Sequence, residues 1–269
     1  MTINQFIKQA ITDLNNHNIP SARLDVFMIT SFILDKPKEW LLINGSQQLS
    51  SDSLELLNEA IKKRINKIPV AYITGYKWFY GHKFKINNKV LVPRPESEVL
   101  VDEASRAIKD SSSRILDVGT GSGCLAISVG LKHPNANITA CDISDRALSV
   151  AKENALNLGS KIKFIQSNLL SNVDKNFDVI IANLPYISRT WTDLSPELKA
   201  EPELALYAAD NGLALIKKLI KMAPDHLNID GYLILELDTR QIDQVNQFAK
   251  RHGFDVSNTQ PFCLTLQKS

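Results

Sequence analysis

Residues 114–129, Arg-Ile-Leu-Asp-Val-Gly-Thr-Gly-Ser-Gly-Cys-Leu-Ala-Ile-Ser-Val, decide the fold. RILDV predicts a buried strand, and Cys124 to Leu131 predict a helix. Between them Gly119, Gly121 and Gly123 alternate with Thr120 and Ser122. Glycines so placed allow a tight turn and let a ligand come close to the backbone. The free N–H groups at the start of the following helix suit a carboxylate or phosphate. A dinucleotide fingerprint, GxGxxG, would put its third glycine at position 124, which is Cys124. Here the third glycine falls one residue early, at Gly123.

Downstream, short apolar strands alternate with amphipathic helices. NITACDI (137–143), KIKFIQ (161–166), FDVIIANLPY (177–186) and GYLILEL (231–237) read as strands. Helices are expected over Ala147 to Leu158, Leu213 to Leu227 and Ile242 to His252. This order predicts an α/β protein with a mostly parallel sheet wound on both faces. The closing pair, FDVSN (254–258) and PFCLTLQ (261–267), leaves no room for a crossover helix, so these strands should be antiparallel.

Upstream, residues 1 to about 75 read as helices. Ile3, Phe6, Ile7, Ala10, Ile11 and Leu14 form one apolar stripe. A second helix opens after Pro20 and Ser21, with Leu24, Phe27, Met28, Phe32 and Ile33 as its expected buried face. A third starts at Ser51 or Asp52 and buries Leu54, Leu57, Ala60, Ile61 and Ile65, with Pro69 helping to stop it. Aromatic and β-favouring residues around Gly81 then predict a hairpin, and Asn87-Asn88 a further turn. Pro93 and Pro95 make the next passage rigid before a helix that starts at Glu96 or Ser97.

Bulk properties narrow the function. The 269 residues are 44% hydrophobic and 22% charged, with a net charge of +2, as in ordinary globular proteins rather than proteins built to grip nucleic-acid backbone. Cys124, Cys141 and Cys263 have no metal-ligand spacing, so free thiols are expected and no metal. No stretch resembles a signal peptide or a membrane span, and a cytoplasmic location is expected.

Two further features bear on chemistry. Asp142 ends the second strand of the α/β region, where a carboxylate can accept hydrogen bonds from both ribose hydroxyls. Asn183-Leu184-Pro185-Tyr186 ends the fourth, on the edge that faces a ligand crevice. There the Asn183 side-chain oxygen and the Leu184 carbonyl can each accept one proton of an –NH2 group, and Tyr186 can stack on the planar group bearing it. Pro185 favours an extended Leu184, which gives that carbonyl a direction.

Together, DVGTGSG, Cys141-Asp142 and N-x-P-Y resemble the class I S-adenosylmethionine-dependent methyltransferases of amino groups. GYKWFYGHKFKINNKVLVPRPESE (75–98), with Arg64 and IPVAYITG (68–75) before it, is similar to the HemK family of protein-(glutamine N5) methyltransferases. So is AEPELAL at 200–206 with DNGL at 210–213. The resemblance runs over essentially the whole chain. It implies a Rossmann-like, mostly parallel seven-stranded sheet, an N-terminal helical bundle and a linking β-hairpin. The implied domains are 1–75 for substrate docking, 76–95 as the hairpin linker and 96–269 for catalysis. The implied cofactor is S-adenosylmethionine, held by Asp117, Gly119, Thr120, Gly121, Ser122, Gly123, Asp142, Asn168, Leu169 and Asn183. The implied catalytic residues are Asn183, Leu184, Pro185 and Tyr186.

The implied substrate is the glutamine of the GGQ motif in class-1 peptide chain release factors, with neither membrane nor nucleic acid as a partner. The chain departs from the family pattern in two places. Leu184 replaces a proline, though its backbone carbonyl remains. Ser167-Asn168-Leu169 stands where an acidic and then an aromatic residue often occur, so Asn168 and Leu169 are left to meet the adenine. Arg94, Glu96 and Glu98 are expected to form ion pairs that orient the linker, with contact to cofactor or substrate as the second reading. The competing readings are methylation of an adenine amino group in DNA or RNA, and of a glutamine in a ribosomal protein.

Overall fold

A computed structural model describes residues 1–110, 112–174 and 176–269. By compactness the chain divides into two units. The first comprises Met1–Tyr76 together with Ser195–Ala200, and the second Lys77–Leu194 with Glu201–Ser269.

Helices α1 (Ile3–Asn16), α2 (Ala22–Leu34), α3 (Lys38–Ile43), α4 (Ser51–Ile65) and α5 (Val70–Thr74) build the first unit. Thr2 caps α1 in a reciprocal arrangement with Gln5, satisfying N–H groups that the first turn leaves unpaired. The cap of α4 is Ser50, one residue before the expected candidates, and its hydroxyl accepts from Ser53 N at 3.1 Å. Pro69 does not stop α4. That helix ends at Ile65, the chain reverses through Asn66 and Lys67 (φ 63°), and Pro69 caps α5.

The expected face of α2 is also corrected. Phe27 is buried, but Leu24 and Phe32 are exposed, while Ala22, Asp25, Val26, Ile29 and Thr30 turn inward. Helix α2 packs on α1, α3, α4 and α5, so four neighbours rather than one set its inward directions. A charge accounts for the rest. Arg64, 2% exposed, reaches Asp25 Oδ2 at 2.6 Å and also pairs with Glu197. Burying an arginine demands such partners, and they draw Asp25 inside.

The chain enters the second unit at Lys77, within the hairpin of β1 (Tyr76–Phe79) and β2 (His82–Lys85). Tyr80 (φ 48°) and Gly81 (φ 77°) both adopt the left-handed region that a two-residue hairpin turn requires. Then follow α6 (Glu98–Ala107), β3 (Arg114–Val118), α7 (Cys124–Lys132), β4 (Asn137–Asp142), α8 (Asp145–Leu158), β5 (Lys163–Gln166) and β6 (Phe177–Ala182). The chain finishes with α9 (Ala214–Met222), β7 (Leu227–Glu236), α10 (Ile242–Lys250), β8 (Phe254–Gln260) and β9 (Cys263–Lys268).

The large sheet has seven strands in the order β5-β4-β3-β6-β7-β9-β8. The pairs from β5 through β7 are parallel, and β9 is antiparallel to both β7 and β8. Strands β3 and β6 are buried almost end to end, as strands covered on both faces must be. The registers Val118↔Cys141, Val118↔Ala182 and Ala182↔Leu235 align the ends of β3, β4, β6 and β7. Strand order reverses between β3 and β6, and the loops leaving that aligned edge bound a crevice of the kind open α/β sheets use for ligands.

Candidate active site

Backbone bonds staple the glycine loop to its neighbour strand. Gly119 N and Thr120 N both donate to the Cys141 carbonyl, at 2.8 and 3.0 Å. Gly121 N donates to Asp142 Oδ2 at 2.9 Å, and Ser144 N to Asp142 Oδ1 at 2.8 Å. Each glycine has its own reason. A methyl group on Gly119 would lie 2.9 Å from Leu184 Cδ2, and one on Gly123 would lie 3.1 Å from Ala151 Cβ. Gly121 (φ 56°) has no atom nearer than 4.0 Å, so that side of the loop stays open to a ligand.

Asp117 stands behind the loop, fully buried. Its Oδ2 accepts from Thr120 Oγ1 at 2.6 Å and from Ala126 N at 3.3 Å, while Oδ1 has no partner. Burial pushes its carboxyl up to about 7, and the Asp142 charge adds to the rise, against the bonds from Thr120 and Ala126. Burial also raises Asp142, against bonds from the backbone of Ser144, Gly121 and Ile143.

A cavity of about 220 Å³ opens in front of the loop. Gly119, Thr120, Gly121, Ser122, Asp142, Asn168, Leu169, Asn183, Leu184 and Pro185 are in its wall, whereas Asp117, Gly123 and Tyr186 are not. Asn168 is exposed, and Leu169 is buried with a positive φ of 52°. The wall suits an adenosine carrying a cationic amino-acid tail. Asp142 keeps lone pairs beyond its backbone bonds and Gly121 lets a ligand approach the chain, while behind the wall Asp117 retains an uncommitted carboxylate oxygen.

Opposite the loop lies the second motif. Asn183 donates its amide nitrogen to Ser97 Oγ at 3.1 Å, which turns the side-chain oxygen away from that bond. Tyr186 donates its hydroxyl to Glu236 Oε1 at 3.1 Å, and its backbone carbonyl accepts from Gln241 Nε2 at 2.9 Å. Burial pushes the Glu236 carboxyl up to about 7 and raises the Tyr186 phenol. Arg94 lines the cavity and pairs with the buried Glu201, whose other oxygen accepts from Val92 N at 2.9 Å. Glu98 accepts from Tyr80 N at 2.7 Å rather than pairing with a cation.

Sequence reasoning missed Ser97, Glu236 and Gln241 as parts of the site. One signal was present for Glu236: a lone carboxylate closing the apolar run GYLIL at a strand end. Cys124, Cys141 and Cys263 are free thiols. Among the described residues no cluster of three or more His, Cys, Asp or Glu could hold a metal, and no helix is long and apolar enough to cross a membrane.

The sheet order, the glycine loop on β3 and the Asn183–Tyr186 motif after β6 are those of the class I methyltransferases, whose cofactor is S-adenosylmethionine. Residues 95–197 match the Methyltransferase small domain family, and residues 5–75 match the PrmC N-terminal domain. The chain is 36% identical to the release factor glutamine methyltransferase of Francisella tularensis, over 94% of this chain and 91% of that protein. It is 35% identical to a bifunctional methyltransferase of Rickettsia felis over 96% of this chain and 55% of that relative, so it spans about half the length of the Rickettsia proteins it matches. A solved methyltransferase from Pyrococcus furiosus shares the fold at a TM-score of 0.54 and 19% identity, covering 81% of this chain and 98% of its own. The chain belongs to the release factor glutamine methyltransferase family.

Proposed function

We propose that this chain transfers a methyl group from S-adenosylmethionine to the side-chain amide nitrogen of the glutamine in the GGQ motif of class-1 peptide chain release factors. The observation that carries the proposal is the direction of Asn183. With its nitrogen committed to Ser97, the polar atom left for a substrate is an acceptor, and the Leu184 carbonyl is the second. Two acceptors match an –NH2 group and repel a carboxylate, which would set lone pairs against lone pairs.

An amide nitrogen is a poor nucleophile because its lone pair is delocalised. When bound, the cofactor would supply a methyl group on a sulfonium: as the N–C bond forms the S–C bond breaks, a neutral thioether leaves, and the surplus proton on nitrogen passes to water. The protein's task is then alignment and charge stabilisation. Asn183 Oδ1 and the Leu184 carbonyl hold the nitrogen and stabilise the positive charge that grows on it, and such positioning is worth at most about 7–11 kcal/mol. Asp117, Gly119, Thr120, Gly121, Ser122, Gly123, Asp142, Asn168 and Leu169 are the proposed cofactor site. Within it Gly123 acts through packing and Asp117 through the loop. The first unit is proposed to help dock the release factor.

The test uses labelled S-adenosylmethionine with a release factor, the same factor with its GGQ glutamine changed to alanine, a ribosomal protein fraction, and DNA or RNA. Label in the first alone is the expected result. Equal label in the glutamine-less factor, or label confined to nucleic acid, would sink the proposal.

A further inference from the structure

Between β7 and the Asn183–Tyr186 motif lies a polar cluster that the proposed reaction does not by itself require. Glu236, the last residue of β7, is 2% exposed. Its Oε1 takes the Tyr186 hydroxyl, and its Oε2 has no well-formed hydrogen bond. Ser97, in the turn before α6, receives the Asn183 amide nitrogen. Ser97 and Asn183 both come near enough to Glu236 to favour its ionised form, yet short of good geometry for Oε2.

We propose that Glu236 is a positioning residue which, acting through Ser97, keeps the Asn183 side chain with its nitrogen turned inward and its oxygen toward the substrate amide. The proposal rests on the proposed function, in which that oxygen receives an N–H of the glutamine.

The argument is one of hydrogen-bond polarity. A primary amide has a donor end and an acceptor end of nearly equal size, so its partners alone decide which way it faces. The Ser97 hydroxyl cannot decide, because it both donates and accepts. A carboxylate only accepts. An ionised Glu236 therefore attracts the Ser97 proton, which leaves the Ser97 lone pairs for the Asn183 N–H. Polarity then runs from Asn183 through Ser97 to Glu236. A group at 236 that can itself donate to Ser97 frees the Ser97 proton for Asn183 and lets the amide turn over. The NH2 of Asn183 would then meet the NH2 of the substrate.

The ionisation involved lies near neutrality. Burial pushes Glu236 up to about 7 and the Glu96 charge adds to this, while Ser97, Tyr186 and Asn183 oppose it. The Cys124 and Cys263 thiols also feel the Glu236 charge, and burial lifts both to about 12, so they stay neutral. The Tyr186 phenol is raised further still and stays neutral too, with Asp238 and Arg94 acting on it in opposite directions.

The test compares the full-length protein with Glu236→Gln and Ser97→Ala in the release-factor assay, with S-adenosylhomocysteine affinity measured by calorimetry. In the unaltered protein kcat should rise about tenfold from pH 6 to pH 8, following ionisation of a carboxyl with a midpoint near 7. Glu236→Gln should lower kcat at pH 8 by about tenfold or more, remove the pH step, and leave KM and S-adenosylhomocysteine affinity within about threefold. Ser97→Ala should also lose the step, which keeps the question decidable if Glu236→Gln fails to fold. A kcat within about twofold of normal in both variants, or a pH step surviving in either, overturns the proposal. So does a loss of kcat matched by an equal loss of S-adenosylhomocysteine affinity, which would make the cluster merely structural. Absence of label with the unaltered protein would instead overturn the function, and this proposal with it.

Discussion

Two buried carboxylates behind the crevice wall, Asp117 and Glu236, each keep one oxygen without a well-formed hydrogen bond. Uncompensated burial of that kind is costly, and a protein that tolerates it gains something from the charge. For Asp117 the expected gain is the pull of its charge, exerted from behind the glycine loop, on a cationic ligand. Asp117→Asn keeps an acceptor for Thr120 and Ala126 but removes the charge, and S-adenosylmethionine should then bind about tenfold more weakly by calorimetry, equivalent to about 1.4 kcal/mol. Unchanged affinity would mean that Asp117 serves only the loop. Asn183→Ala probes the other wall. It should cut turnover by at least about 100-fold while leaving cofactor affinity within about threefold. Near-normal methylation of a release factor by this variant would defeat the mechanism.

At the scale of elements, the segment after β6 is held by parts of the chain far from it in sequence. Gln241, in the turn before α10, donates to the carbonyls of Tyr186 and Asn211. Gly212 (φ 89°) passes so close that a methyl group there would sit 1.9 Å from the Tyr186 oxygen. Gly212→Ala should therefore cost more than its backbone strain and push Tyr186 out of register, lowering stability by about 1–3 kcal/mol together with turnover. Gly253 (φ 79°) is the control, because nothing lies within 4 Å of a methyl group there. Gly253→Ala should cost only about 1 kcal/mol and spare activity, as urea unfolding and the methylation assay would show. Similar activity losses in both variants would refute the packing argument.

At the scale of the whole molecule, stability should depend on pH in a definite direction. Asp117 and Glu236 both have folded-state values raised to about 7, above the ordinary carboxylate range. The stability they contribute is thus complete at pH below about 4 and lost as pH rises through 7. Without cofactor, the melting temperature should fall by about 5 °C or more between pH 6 and 8, and by less in Asp117→Asn. A flat profile would argue against these raised values. In the first unit, Arg64→Ala should leave Asp25 and Glu197 without their cation and cost about 3–5 kcal/mol in denaturant unfolding.

Much of this architecture was legible in the chain, because periodicity reports local environment directly. The near-continuous apolar runs of β3 and β6, the helices spaced between them and the short β8–β9 connection carry topology in their lengths. The glycine loop, Asp142 and the acceptor motif were legible because each sits at a strand end, where a parallel sheet must present its loops. The buried face of α2 was not, since four neighbours and one buried arginine set it. Nor was the cluster of Ser97, Asn183, Tyr186 and Glu236, whose bonded pairs lie 86 and 50 residues apart.

The amino-acid sequence by itself therefore determined the α/β class, the order of the elements and which short motifs line one edge of the sheet. Only the tertiary structure decided which way the Asn183 amide turns and which carboxylates stay buried with an oxygen short of a well-formed hydrogen bond. The reason is physical. Strand and helix patterns arise from neighbours along the chain, whereas the polarity of a hydrogen-bond network and the cost of burying a charge depend on groups that only folding brings together.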